Sequence, residues 1–254
     1  MKTLTAIFAA TLAVALATPA AAQARRTPQP KGPTRFYVSL NGGVQPANAD
    51  LSDHFEFPSN AETATVDVKY PKKAGVLIDG GGGVQLWRQL GAGVAVSYVS
   101  SDGTAAIEAS IPHPFLFGQP RQISGEQGSV ARTETSAHVQ LLYFVPTRGK
   151  LHAIVSGGPS FVSLSQDVVT DVDFSEVYPY DTAAFTRATT KAVKGNAVGF
   201  NIGVDLRWMF SREFGVGGLV RFTRATVDLD VAEGRSFSVD TGGVQAGGGV
   251  RIFF

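Results

Sequence analysis

The chain has 254 residues, 29 of them Gly and none Cys, with 22 Lys plus Arg against 21 Asp plus Glu for a net charge of +1. The lack of thiols excludes cysteine-ligated zinc, iron–sulfur clusters, disulfide scaffolds and thiol catalysis. The balanced charge argues against a duplex-binding protein, so no nucleic-acid partner is expected.

Met1-Lys2 forms a short positive start, Leu4 to Ala17 an apolar run, and Ala20-Ala21-Ala22 a small-residue cleavage pattern before Gln23. Residues 1–22 therefore read as a secretory signal peptide. The run falls short of the roughly 18–20 apolar residues that a spanning helix needs. Residues 23–34, with three prolines and three basic residues, have nothing to bury and read as a periplasmic linker. The remaining 35–254 read as one barrel domain.

From Phe36 to Gln45 the even positions Phe36, Val38, Leu40, Gly42 and Val44 are apolar or small, and the odd positions Tyr37, Ser39, Asn41, Gly43 and Gln45 are polar or small. Period-2 alternation of this kind marks a strand with one watered face. Further strands are expected near 74–87, 91–101, 133–145, 151–166, 197–210, 214–225 and 241–254, eight in all. The segment from Leu151 alternates poorly; Leu151, Ala153, Val155 and Phe161 are placed outward. The clearest strand runs from Ala197 to Phe210. There Val198, Phe200, Ile202, Val204, Leu206, Trp208 and Phe210 alternate with residues that include Asn201, Asp205 and Arg207.

Short links at 88–90, 146–150 and 211–213 alternate strictly with long ones at 45–73, 102–132, 167–193 and 226–240. An all-β, eight-stranded antiparallel up-and-down barrel with short turns at one end and long loops at the other has this pattern. Alternation alone does not separate a soluble barrel from a membrane barrel, but length does. At about 3.3 Å per residue and about 40° of tilt, the ten steps from Phe200 to Phe210 climb roughly 25 Å, the height of an outer-membrane apolar band. Outward aromatics fall near the band's edges: Phe36, Tyr143, Trp208, Phe210, Phe214 and Phe254 toward the short turns, and Tyr98, Phe200 and Phe222 toward the long loops. Such girdles belong to a membrane interface. Gly80 to Gly83, Gly217-Gly218 and Gly247 to Gly249 read as lumen-face glycines that give a small barrel curvature and room.

The chain resembles the small outer-membrane β-barrel family: the OmpA-type and OmpW-type eight-stranded, porin-like barrel domains of the Gram-negative envelope. The resemblance rests on the signal peptide, FYVSLNGGVQ (36–45), the hairpin GFNIGVDLRWMF–SREFGVGGLVRF (199–222) and the closing GGGVRIFF (247–254). The ending is similar to the carboxy-terminal signal for the barrel-assembly machinery, with Gly249, Ile252 and Phe254 in its places and Gly247 departing from a preferred polar residue. The resemblance implies a location in the cell outer membrane. It also implies partners in outer-membrane lipid, lipopolysaccharide and, during biogenesis, the assembly machinery, with extracellular ligands met through the loops.

Asp79, Asp205, Arg207, Arg221 and Arg251 fall on the expected lumen face, where eight strands leave just enough room for side chains, so they should pair. If Phe210 opposes Phe214, Asp205 faces Leu219, and Asp205 is expected between Arg207 and Arg221. The four His show no metal-ligand spacing, and neither a phosphate loop nor a nucleophile elbow is present; no cofactor or metal is expected. His138 with Ser136 and Glu134 is the one local cluster that resembles a lipid-modifying enzyme, although alternation alone produces such a row. Phe55, Phe57, Phe115, Phe117, Phe174, Tyr178 and Tyr180 lie in the long links, as contact surface or as loop packing. The resulting expectation is a structural or interaction barrel with a closed, salt-bridged lumen and exposed loops, not an enzyme. An OmpW-like barrel admitting small solutes is the alternative. Nothing follows Phe254 to supply a peptidoglycan-binding domain, so wall contact would rest on 23–34.

Overall fold

A computed structural model of the chain describes residues 36–254 apart from 48, 49, 72, 148, 233 and 234. The signal peptide and linker lie outside the described residues. Ten strands form one antiparallel sheet: β1 Phe36–Gln45, β2 Leu51–Ser59, β3 Glu62–Tyr70, β4 Gly75–Trp87, β5 Leu90–Ile111, β6 Arg121–Val145, β7 Leu151–Glu176, β8 Ala183–Met209, β9 Phe214–Ala232 and β10 Arg235–Phe253. Eight of them, β1 and β4 to β10, close a ring. β1 pairs with β10 from Tyr37↔Phe253 to Val44↔Ala246, and β5 completes the circle on β6. The expected eight ring strands are all present.

The long links are where the structure departs from expectation. Most of 102–132, 167–193 and 226–240 is strand, and 45–73 holds the β2–β3 hairpin, laid against β5 through Thr65↔Ser110 to Lys69↔Ala106. The reason lies in the side-chain pattern. Along β9 the inward residues Arg221 and Thr223 give way to Ala225, Val227, Leu229 and Val231, while the outward residues Val220 and Phe222 give way to Arg224, Thr226, Asp228 and Asp230. The strand continues unbroken and only the polarity of its two faces is exchanged. Below the exchange the outside is apolar and the inside polar; above it the inside is apolar and the outside wet. The same exchange occurs between Asn196 and Val198 on β8, Tyr98 and Ser100 on β5, and Phe161 and Ser163 on β7.

Below this collar, the outward apolar positions span eight to ten steps per strand, such as Phe214–Phe222 and Val198–Trp208, or about 20–25 Å. Val198, Ile202 and Val220 are more than half exposed. A row of this kind in water would be a severe aggregation hazard, whereas against hydrocarbon it is the favourable state.

Above the collar the ring opens. β6–β7 pairing stops at Arg132↔Gln166 and β8–β9 pairing at Phe200↔Arg224. The strands regroup as β2-β3-β5-β6, β7-β8 and β9-β10 around a core that includes Val66, Val68, Ile107, Ile123, Val168, Val227 and Leu229, each at most 5% exposed. Side chains bridge the seam between β6 and the β7–β8 pair: the Ala131 N–H donates to Asp167 Oδ2 (3.0 Å), and the Ala188 N–H donates to Gln127 Oε1 (3.3 Å). Tyr70 sits in this core, its oxygen accepting the Val169 N–H (2.8 Å), and burial pushes its hydroxyl pKa up, so it stays neutral.

The glycine reading needs a correction. Gly81, Gly83, Gly217, Gly247 and Gly249 take inward positions, but Gly80, Gly82, Gly218 and Gly248 stand on the outward, lipid-type face. Register places Gly42, Gly248 and Gly218 side by side across β1, β10 and β9, so these residues thin the wall on both faces rather than making room in the lumen alone.

Candidate functional site

The lumen holds two ionic layers. In the lower layer, Asp205 on β8 accepts Arg207 Nε (3.1 Å) from its own strand and Arg251 Nε and Nη2 (3.0 and 2.5 Å) from β10. Arg221, expected to share Asp205, instead meets Asp79 of β4 at 2.5 Å. The expected register is present, with Asp205 opposite Leu219. What decides the partner is Gly217 on the intervening strand: it pairs with Arg207 and Gly249, and a Cβ on it would lie 3.1 Å from Arg251 Nε. The missing side chain lets the Arg251 guanidinium cross β9 to Asp205. The surplus cation in this layer, Arg207, lies over the rings of Tyr37 (4.6 Å) and Phe253 (4.8 Å), a favourable arrangement for a buried guanidinium. Those rings stack at 5.7 Å and, with Leu142, Ile154 and Phe144, fill the short-turn end of the lumen.

In the upper layer, one chain of hydrogen bonds links six of the eight ring strands. Asp79 accepts Asn41 Nδ2 (2.9 Å) and pairs with Arg221. Arg221 Nε donates to Gln245 Oε1 (2.9 Å), Gln245 Nε2 to Gln45 Oε1 (2.9 Å), and Gln45 Nε2 to Glu134 Oε2 (3.2 Å). Glu134 Oε1 accepts Arg132 Nε (2.8 Å), and Arg132 Nη1 donates to Gln166 Oε1 (3.2 Å). Gly242 closes the loop: its N–H donates to Glu134 Oε2 (3.2 Å) and its carbonyl accepts Gln45 Nε2 (3.0 Å). Its φ of +91° is a backbone state that favours glycine. Arg221, Asp79, Gln45 and Gln245 are all 2% exposed or less, and buried charges are tolerable in that state only when paired and fully hydrogen-bonded.

Sequence reasoning missed Asn41, Gln45, Arg132, Glu134, Gln166 and Gln245 as members of this network. The signal was present in their inward parity, but a search for charges passed over Gln45 and Gln245, which join them.

His138, Ser136 and Glu134 share a lumen face, yet they do not form a relay. His138 Nε2 lies 3.1 Å from Ser97 Oγ and Nδ1 2.8 Å from Ser160 Oγ, while Glu134 is held by Arg132, Gln45 and Gly242. His138 is 1% exposed. Among the described residues, no group of three or more His, Cys, Asp or Glu could hold a metal ion.

The singled-out aromatics Phe36, Tyr98, Tyr143, Phe200, Trp208, Phe210, Phe214 and Phe222 all point outward at the belt, 37–58% exposed. Of the proposed assembly residues, Gly249 sits with its Cα hydrogens against the Leu40 carbonyl, Ile252 pairs with Val38, and the Phe254 N–H donates to the Phe36 carbonyl (3.0 Å), closing the ring.

A cavity of about 420 Å³ lies at the collar where β1 and β4 end and the β2–β3 hairpin leaves the ring. Leu51, Tyr70, Val130 and Val239 line it, Asp102, Asp240 and Lys73 stand among the polar residues around it, and it reaches Arg132 and Gln166 of the upper layer.

The molecule is thus an eight-stranded antiparallel β-barrel built as a transmembrane barrel, with an extended upper storey. Three solved structures similar to it are outer-membrane proteins. They are Neisserial surface protein A (NspA; 10% identity, TM-score 0.42, covering 86% of this chain and 97% of that one), the outer membrane protease OmpT from Escherichia coli (8%, 0.48, 87% and 97%) and a major outer membrane protein from Thermus thermophilus (10%, 0.43, 88% and 100%). At such scores the likeness carries nothing about activity. No known family model matches the chain, and no curated protein does either.

Proposed function

We propose that the chain is an outer-membrane barrel that does not conduct, and that its role is structural or interactive, exercised through the upper storey rather than through the lumen. The observation that carries this reading is the filling of the lumen from end to end. An aromatic plug and the Asp205–Arg207–Arg251 layer lie below, the Asn41-to-Gln166 chain lies above, and an apolar core follows beyond the collar. Opening such a path would leave several charges without partners at once, a cost of several kcal/mol for each. In this reading the belt meets outer-membrane lipid and lipopolysaccharide, the closing strand is what the assembly machinery engages, and no catalytic step is assigned.

A second reading, an OmpW-like barrel admitting small solutes, is favoured by the collar cavity alone. It ends on the paired Arg132 and Gln166, so passage would require those bonds to exchange partners. Planar-bilayer recording separates the two. The closed barrel gives no steady current at any holding voltage, whereas a stable single-channel conductance from the wild-type protein would overturn it and promote transport.

A further inference from the structure

Exposed large apolar side chains fall in only two places among the described residues. All but five belong to the belt and its rims; the five are Phe115 (69% exposed), Leu116 (46%), Phe117 (76%), Val177 (78%) and Tyr178 (80%). These occupy the β5–β6 and β7–β8 loops, which touch through Phe115 and Tyr180 (ring centroids 5.6 Å apart). Other aromatics of the long links are spoken for, since Phe55, Phe57 and Phe174 pack on the upper core.

The two loops are held rigidly. Arg121 Nη2 donates to the Pro112 carbonyl (2.9 Å) and Nη1 to the Tyr180 carbonyl (3.0 Å), and Arg121 pairs with Glu176 at 2.7 Å. His113 Nδ1 accepts the Phe115 and Leu116 N–H groups (both 3.1 Å). Ordering the loops is therefore already complete before any partner arrives.

We infer that this paired tip is a membrane-docking surface, and that its occupant is the uncharged phospholipid leaflet of a second, apposed bilayer. Position excludes the barrel's own membrane: β5 runs thirteen steps from Tyr98 at the collar to Ile111 below the tip, roughly 30 Å at ordinary strand tilt. Charge selects a neutral leaflet. Residues 112–120 and 177–180 contain no Asp, Glu, Lys or Arg, and the flanking Arg121 and Glu176 neutralise each other, while Asp181 and Glu62, whose Oε1 accepts the Gly118 N–H (3.0 Å), add negative charge. An anionic surface would gain nothing from such a tip. Area argues against a second copy: five side chains at these exposures offer about 600 Å² per copy, short of the roughly 800 Å² per partner of a stable interface, and two convex tips would bury only part of it. A bilayer accepts convex tips and needs only a few such side chains.

The inference extends the reading above and depends on it only in that the belt sits in lipid. The test uses the full chain in lipid nanodiscs, where failure to incorporate would count against the barrel reading instead. Phosphatidylcholine vesicles are the probe. Wild-type protein should float with them, unaffected by 1 M NaCl, and Phe117→Cys carrying an environment-sensitive dye should brighten several-fold and shift to the blue. The triple variant Phe115→Ser/Phe117→Ser/Tyr178→Ser, with its folding checked by heat-modifiable gel mobility, should lose at least tenfold in vesicle binding. Absent wild-type binding, or equal binding by the triple variant, would overturn the inference. So would a tip-dependent self-association of the protein in detergent micelles, where no second bilayer is present, which would assign the surface to a second copy.

Discussion

Removing the Asp79 carboxylate should be among the most damaging single changes in the lumen. Arg221 is 1% exposed, takes its ionic partner from Asp79 at 2.5 Å and makes a second bond to the neutral Gln245 at 2.9 Å. Asp79→Ala leaves that guanidinium without a counter-ion in a site closed to water and also strips Asn41 Nδ2 of its acceptor. Breaking one side of a buried pair costs about 3–5 kcal/mol, two powers of ten or more in the folding equilibrium. The exposed pair Arg224–Asp240, 3.2 Å apart with both side chains 60% exposed, provides the contrast; Asp240→Ala should cost about 1 kcal/mol or less. Urea unfolding in liposomes, read by tryptophan fluorescence and gel mobility, measures both. The double change Asp79→Leu/Arg221→Met should recover most of the loss, because an apolar pair replaces a pair whose attraction is largely offset by desolvation. If Asp79→Ala proves no worse than Asp240→Ala, the lumen is wet and the argument for a closed network fails.

Other outcomes follow from the same geometry. Val204→Lys, at mid-belt on the outward face of β8, should cost about 2–4 kcal/mol of folding into liposomes, and Asn196→Lys, above the collar on the same face, about 0–1; equal costs would refute the placement of the belt. Gly242→Ala should destabilise by about 1–3 kcal/mol, because φ is +91° and a Cβ would lie 2.3 Å from the Thr223 carbonyl oxygen; chemical unfolding would reveal an unaffected variant. On the β2–β3 hairpin, the hydrogen bond that His54 donates to Asp67 and the nearby Glu56 raise the His54 pKa above its ordinary 6.5. The pair therefore steadies the hairpin fully below about pH 6.5 and ceases to do so as pH rises through the elevated value, by under about 1 kcal/mol for groups this exposed. NMR titration should place the His54 midpoint above 6.5 and Asp67→Asn should bring it back down; a wild-type midpoint at or below 6.5 would contradict this.

The ring strands were readable because period 2 holds across each of them, even in the weakly alternating segment where Leu151, Val155 and Phe161 do face outward. The upper storey was misread as loop for a physical reason visible in β9. Arg224, Thr226, Asp228 and Asp230 look like loop residues to a reader expecting an apolar outer face, yet they alternate with Ala225, Val227, Leu229 and Val231 without a break. On β6 and β5 the signal is weaker, since irregular pairing between Gly103 and Ala105, opposite Gln127 to Val130, shifts the parity partway. Of the two partners of Asp205, one was readable and the other was not. Arg207 shares its strand, but Arg251 lies two strands away and reaches it across β9 only because Gly217 leaves the way clear.

The exchange of faces at the collar tests the account most directly, and the absence of cysteine makes it simple to probe. Single cysteines at the outward β9 positions 214, 216, 218, 220, 222, 224, 226, 228 and 230 would carry nitroxide labels in liposomes. Collision with oxygen, which concentrates in hydrocarbon, should dominate from 214 to 222 and collision with a water-soluble nickel chelate from 224 upward. A profile that stays aqueous across 214–222, or that crosses elsewhere than between Phe222 and Arg224, would contradict a barrel whose belt ends where its polarity inverts.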